Sequence, residues 1–339
     1  GPLSTAWDQA AKRADDDLGQ IVAALDLSKD TVLVISDHGH IDAGGHGGQD
    51  AVVLEEPFVI AGSGIKPGDV GDINMVDIAP SLAALLGTRI PTVNQGTVRT
   101  DIVDLNDDTM AALPGAIETQ QTALVNAYAA GINRTYADNA MPTGSDVGKY
   151  QNLIEFLRGN RKNDERVPRG LTALVVIILI VSWLKKNKKS GSLAWVFGAL
   201  AFALLFNFRY GMWDKRAYSL SAITSQTELM MYVGITALLA MLIVWLAVFL
   251  DQRYFRLSAS EAALKTFGFV FTVAFINSLP ALLSFVVNGI VVTWDLPNFL
   301  TSFLGLLSLI QLIVIAVSGL LFTGITALIA AAVSRRTNQ

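Results

Sequence analysis

Residues 299–333 contain no charged side chain. A helix needs about 20 apolar residues to cross a hydrocarbon layer of about 30 Å, and lipid leaves no partner for an open backbone group. A run of this kind points to helices packed in a bilayer. It exceeds one crossing, so it is expected to be tilted or broken near Gly305. Four shorter apolar runs precede it, at residues 170–184, 193–208, 229–250 and 267–287. The first is about 22 Å long as a helix, which Arg169 and Lys185 extend by snorkelling. A buried soluble helix is the alternative, and the following cluster Lys185-Lys186-Asn187-Lys188-Lys189 favours a membrane anchor. Asn277 and Pro280 inside the fourth run imply a kink or a polar contact between helices.

Charge divides the chain at the same place. Residues 1–169 carry 13 Lys and Arg against 24 Asp and Glu, a net of −11, whereas residues 170–339 carry 12 against 5, a net of +7. An acidic part is joined to a basic, apolar one, and the acidic part argues against a nucleic-acid partner, which asks for a basic face. Cysteine is absent, which removes disulfides, cysteine metal sites and a thiol nucleophile and leaves the redox compartment open. Asn133-Arg134-Thr135 fits a glycosylation triplet, a pattern that also arises by chance. By the positive-inside rule, the Lys185–189 cluster, Arg253, Arg256, Arg335 and Arg336 share the cytoplasmic side of five crossings, with residues before 170 opposite. The basic segment 209–216 breaks the rule. Tyr210, Trp213 and Tyr218 place it at the interface, where it contacts lipid phosphates or anchors helix ends.

All three histidines fall within Asp37-His38-Gly39-His40-Ile41-Asp42-Ala43-Gly44-Gly45-His46-Gly47-Gly48. Imidazole with carboxylate is how proteins hold zinc or manganese. The preceding Thr31-Val32-Leu33-Val34-Ile35 is a β-branched run that reads as a strand buried on both faces of a parallel sheet. Asp37 and His38 then emerge at its carboxyl end, where open α/β sheets place ligands, and the glycines return His46 to the same place. A capping Asp beside a surface His is the bland alternative, and the glycine frame of His46 weighs against it. His40 is either a loop residue or one that faces the substrate or supports a ligand; Asp42 is a turn residue; Ser36 is structural. Elsewhere, residues 7–25 and 110–130 read as helices, 57–61 as a second buried strand and 150–158 as a short juxtamembrane helix. Asp77 is placed to cap a helix that stops at Gly87, and Asp15-Asp16-Asp17 is a solvated face.

Ser36-Asp37-His38-Gly39 followed by His46 among glycines resembles the alkaline phosphatase superfamily, in its phosphodiesterase and nucleotide pyrophosphatase branch. Glu56-Pro57-Phe58-Val59-Ile60-Ala61-Gly62-Ser63-Gly64-Ile65 and Val76-Asp77-Ile78-Ala79-Pro80-Ser81-Leu82-Ala83-Ala84-Leu85-Leu86-Gly87 resemble later motifs of that family, as do Ile90-Pro91 and Gly96. Asp42 before Gly44-Gly45-His46, together with the multi-pass tail, is similar to the glycolipid-anchor ethanolamine phosphate transferases. The likeness covers about residues 1–100. It implies an alkaline-phosphatase-like parallel sheet flanked by helices, represented by its carboxyl-terminal part in residues 1–130. A polar juxtamembrane linker over 131–169 and an all-α transmembrane bundle over 170–334 follow.

The resemblance further implies two divalent metals, zinc or manganese, with Asp37 and His38 on one and His46 on the other. The family's Ser or Thr nucleophile, a further Asp and an Asp/His pair lie earlier in its chains, so this chain is expected to be a carboxyl-terminal piece, inactive alone. Gly1-Pro2-Leu3-Ser4 resembles the segment after that pair, a cloning scar being the alternative. The activity implied is phosphodiester cleavage, or transfer of a phosphoethanolamine-type group, on an extracytoplasmic phosphate ester or lipid-linked substrate among membrane lipids. The setting is a multi-pass protein of the plasma membrane with its carboxyl terminus in the cytoplasm. A sulfatase-like hydrolase and a non-catalytic membrane scaffold carrying a relic domain are the rival readings.

Overall fold

A computed structural model describes residues 4–42, 44–290 and 294–337. Gly1, Pro2 and Leu3 of the resembling start, and Ala43 of the histidine loop, lie outside the described residues. In chain order the elements are α1 (Thr5–Ala23), β1 (Thr31–Ile35), the one-turn α2 (Ala51–Leu54), β2 (Phe58–Gly62), α3 (Ile78–Leu85) and α4 (Asp107–Gly131). They continue with α5 (Val147–Lys186), α6 (Ser192–Asn207), α7 (Gln226–Asp251), α8 (Ala259–Asn288) and α9 (Phe299–Thr337). The chain forms two compact units. Of the described residues, one unit comprises those in 4–37 and 56–165 and the other those in 38–55 and 166–337, so α5 contributes to both.

The first unit corrects the expected parallel sheet. Among the described residues the only sheet has two strands, and β1 pairs with β2 antiparallel, Thr31 opposite Gly62 and Ile35 opposite Phe58. A β-branched run specifies extended backbone but not the direction of its neighbour. Parallel pairing needs a crossover that returns the chain to the starting edge, usually through a helix lying on the sheet. Here residues 36–57 hold only the single turn α2 between the strands. Nor is β1 buried on both faces: Val32, Leu33 and Val34 are half-buried and Ile35 is exposed.

Helices make the rest of this unit. Ser4 caps α1 by accepting the Trp7 N–H, and no side chain of α1 is buried, which leaves Ile21 as well as the Asp15–17 face in solvent. Asn106 caps α4 through the Thr109 N–H at 2.8 Å. The core packs Ala84, Val98, Val103, Ile117 and Val147. Gln121 of α4, fully buried, donates to the Asn94 carbonyl and accepts from Gln151 of α5, satisfying a polar group that burial would otherwise penalise. Arg158 reaches the Tyr128 hydroxyl and Arg134 the Asp164 carboxylate, so α5 is held along its first half. The expected short juxtamembrane helix is therefore the start of a 40-residue helix that continues through Pro168.

Among the described residues, five helices are long and apolar enough to cross a membrane: α5, α6 with the turn that extends it, α7, α8 and α9. Residues 299–333 form one unbroken helix rather than two. The shared core holds Trp195, Phe202, Met241, Tyr254, Phe269, Phe303 and Ile315. Its indoles are paired, Trp195 to the Tyr254 hydroxyl at 3.0 Å and Trp245 to Thr326 at 3.2 Å. The outward Leu, Ile and Phe side chains stay exposed, as lipid contact requires. Near Pro280, which lacks an N–H, the Asn277 carbonyl accepts the Ser308 hydroxyl of α9; this is the polar interhelical contact that Asn277 and Pro280 announce.

Candidate functional site

The histidine loop, residues 38–55, belongs to the unit that contains the membrane helices. Its first half is a tight turn: the Gly44 N–H donates to the Ile41 carbonyl and the Ile41 N–H to Gly45. Asp42 lies inside that turn. The turn brings two rings together. His38 and His46 stack with centroids 4.5 Å apart and planes at 23°. His38 Nδ1 lies 2.8 Å from the Gly39 carbonyl; in the tautomer that donates this bond, Nε2 keeps its lone pair for a ligand. His40 makes the same kind of contact, Nδ1 to the Ile41 carbonyl at 3.2 Å. His38, His40 and His46 are all exposed, as is Asp37, the residue before His38 and the last of a segment of the other unit.

The loop is fastened to the segment between α6 and α7. Ser219 donates to the Asp50 carboxylate at 2.7 Å, and the Ser221 hydroxyl donates to the Gly47 carbonyl. Gly45 is buried against the Ser221 backbone, where an added Cβ would lie 2.1 Å from the Ser221 carbonyl oxygen, so no other residue fits there. Ser219, Ser221 and Asp50 were not foreseen from sequence. The serines stand some 170 positions from their partners in a stretch without periodicity, and the one available signal is an acid closing a glycine-rich loop.

That membrane segment accounts for its own basic charge. Arg216 pairs with Glu228 and Arg209 lies 3.5 Å from Asp214, so two of its cations are neutralised by adjacent acids. The hydrogen bond to Glu228 raises the Arg216 pKa above its ordinary value. Burial raises that of Tyr218, whose hydroxyl donates to Asn207.

The donors of the loop suit a divalent metal in kind, imidazole nitrogens and a carboxylate, and the approach of His38 to His46 suits ligands of neighbouring ions. Among the described residues, however, no three His, Asp or Glu side chains converge on one point. No protein-family model matches the chain, and no solved structure matches it. Part of the chain is similar to named proteins. It is 31% identical over 121 residues to GPI ethanolamine phosphate transferase 1 of Mus musculus, covering 28% of this chain and 13% of the relative. These relatives are transferases. The second similarity is to GPI ethanolamine phosphate transferase 3 of Eremothecium gossypii, 26% over 177 residues, covering 45% of this chain and 17% of the relative. The third is to GPI ethanolamine phosphate transferase 1 of Homo sapiens, 28% over 132 residues, covering 31% and 14%. The chain thus spans less than a fifth of the length of each.

Proposed function

We propose that this chain is part of a membrane-embedded, metal-dependent phosphoethanolamine-type transferase or phosphodiesterase that acts on a lipid-linked phosphate ester. The similarity to three ethanolamine phosphate transferases carries this reading over the sulfatase-like and scaffold alternatives. Five helices long and apolar enough to cross a membrane support a setting among membrane lipids. Asp37 and His38 would hold one divalent ion and His46 the other, zinc or manganese. Bound there, the metals would activate a hydroxyl nucleophile and neutralise charge on the transferring phosphoryl group. The residues' own part is to hold and orient: the Gly39 carbonyl sets the His38 tautomer, and Ser219 and Ser221 fix the loop that carries both rings. The motifs of this chain supply metal ligands and no nucleophile. The distribution of Lys and Arg favours an orientation with the histidine loop on the outer side and the carboxyl terminus in the cytoplasm.

Metal content tests the assignment apart from turnover. The natural full-length protein equilibrated with zinc or manganese and then desalted should retain metal, and His46→Ala should lower the retained amount. Equal metal in the variant would remove His46 from the site. Transfer of phosphoethanolamine from lipid, assayed with the natural full-length protein and lost in the same variant, tests the reaction.

A further inference from the structure

The segment between α6 and α7 is basic where the positive-inside rule expects it not to be, and its shape is built rather than incidental. Instead of stopping at a cap, α6 passes into a π-helical stretch, Phe208–Trp213, and Lys215 follows in the left-handed region at φ +49°. π-Helical turns re-aim side chains and are concentrated at functional sites. Here the turn sets Tyr210 beside Tyr218, ring centroids 4.8 Å apart and planes tilted by 34°, with Tyr210 on the lining of one hollow and Tyr218 on that of another. The first is a chamber of about 250 Å³ lined by Lys215, Arg216, Thr224, Ser225 and Glu228, with Ile41 of the histidine loop also on its wall. The second is an apolar groove of about 640 Å³ along Leu204, Phe208, Met212 and Tyr218.

The charges of the chamber do not cancel. Arg216 is matched by Glu228, and Lys215 adds one positive charge. Arg216 is also pre-organised: Glu228 grips one nitrogen, and the Tyr232 ring lies 4.0 Å from the guanidinium carbon. A guanidinium has five N–H donors in a rigid fork, so donors remain for an anion beside the Lys215 ammonium. A polar chamber with net positive charge, and an apolar groove lined by the Tyr218 that adjoins its Tyr210, match an amphiphile with a phosphate head.

We propose that the chamber binds the phosphate of a phospholipid head group, with an acyl chain lying in the groove. The inference deepens the proposed function, resting on it only for the role of the lipid as substrate; binding is measurable without turnover. The chamber wall at Ile41 would then bring the head group beside the loop that carries His38 and His46.

The test uses the 339-residue chain in detergent supplied with phosphatidylethanolamine, with retained lipid counted by native mass spectrometry and competed by inorganic phosphate. Lys215→Asn removes the charge and keeps a residue that tolerates left-handed backbone. It should weaken lipid retention by roughly tenfold or more. Ile41→Trp should do the same by filling the chamber with every charge left in place, and it decides the matter if Lys215→Asn fails to yield a monodisperse protein. Lys188→Asn, the same charge change outside the chamber, should leave retention intact. Unchanged retention in the chamber variants, or an equal loss in Lys188→Asn, would overturn the proposal. So would phosphate binding that depends on Lys215 without any retained lipid, which would mark a site for free phosphate. Lipid retention without transfer by the natural full-length protein would instead refute the transferase reading and leave the binding site standing.

Discussion

Asp77 shows how a residue's type can be legible and its task not. Its position before α3 reads as a helix cap, yet its carboxylate makes no cap bond; it accepts the Thr97 N–H at 2.7 Å, twenty residues on, while its carbonyl accepts the Ser81 hydroxyl. Capping by Asp is a local rule, and a tertiary partner outcompeted it. Because Asp77 is buried, Asp77→Ala should strand the Thr97 N–H and lower stability by about 1–3 kcal/mol, read from thermal unfolding. Ionisation tests a neighbouring pair. The hydrogen bond from Arg99 holds the Asp101 carboxyl below its ordinary range. A folded-state pKa below the unfolded one gives stability that is present above the unfolded value, about 3.9, and lost as pH falls through the folded value. Asp101→Asn should therefore unfold earlier than the parent at neutral pH, by no more than about 1 kcal/mol because Asp101 is largely exposed, and the gap should close as the pH falls through the folded value. The clustering of His38, His40 and His46 was visible in the sequence because it is local. The hydroxyls that hold the loop were not, because proximity across 170 positions leaves no pattern in one sequence.

At the scale of elements, hydrophobic runs and β-branching located both strands to within a residue and all five membrane segments. What escaped was relational: the direction of β1 against β2, and the continuity of α5 through Pro168. Proline rules describe the cost of a missing N–H but not whether context absorbs it. Helix contacts were equally unreadable, since lipid is as apolar as leucine and small residues mark interfaces only when the partner is known. In the structure Gly319 of α9 faces Val270 of α8 so closely that an added Cβ would lie 2.3 Å from Val270 Cγ1. Gly319→Ala should cost about 1–3 kcal/mol by overpacking, and Val270→Ala in the same chain should recover much of it. Thermal unfolding of the two variants in detergent measures both; no recovery in the double variant would mean that the helices do not meet there. The loop gives a gentler case. Ser221→Ala removes a hydrogen bond worth about 1 kcal/mol. It should speed amide exchange in residues 44–48 while leaving the core of α7 and α8 protected.

For the whole molecule, the decisive signal in the sequence was distribution rather than motif: acidic before residue 170, basic and apolar after it. That asymmetry predicts an orientation, which labelling can test. The basic segment on the assigned outer side pairs Arg209 with Asp214 and Arg216 with Glu228, but the rule counts Lys and Arg rather than net charge, so this segment still stands against the orientation. Of the clusters assigned to the other side, Lys185, Lys186, Lys188 and Lys189 stand in a stretch without acids, whereas Arg253 and Arg256 lie near Asp251 and Glu261. Topology can be read cleanly because the chain has no cysteine, so each introduced thiol reports alone. Ser145 is exposed before the first crossing, Ser190 joins α5 to α6, and Ser260 is exposed in the first turn of α8. In sealed right-side-out membranes, a thiol at 145 should react with an impermeant maleimide, whereas thiols at 190 and 260 should react only after permeabilisation. Protection of 145 with labelling of 190 would invert the molecule and put the histidine loop in the cytoplasm. A split between 190 and 260 would show that α6 and α7 do not both cross, which would part the Lys185–189 cluster from Arg253 and Arg256 and remove the charge argument for the orientation altogether.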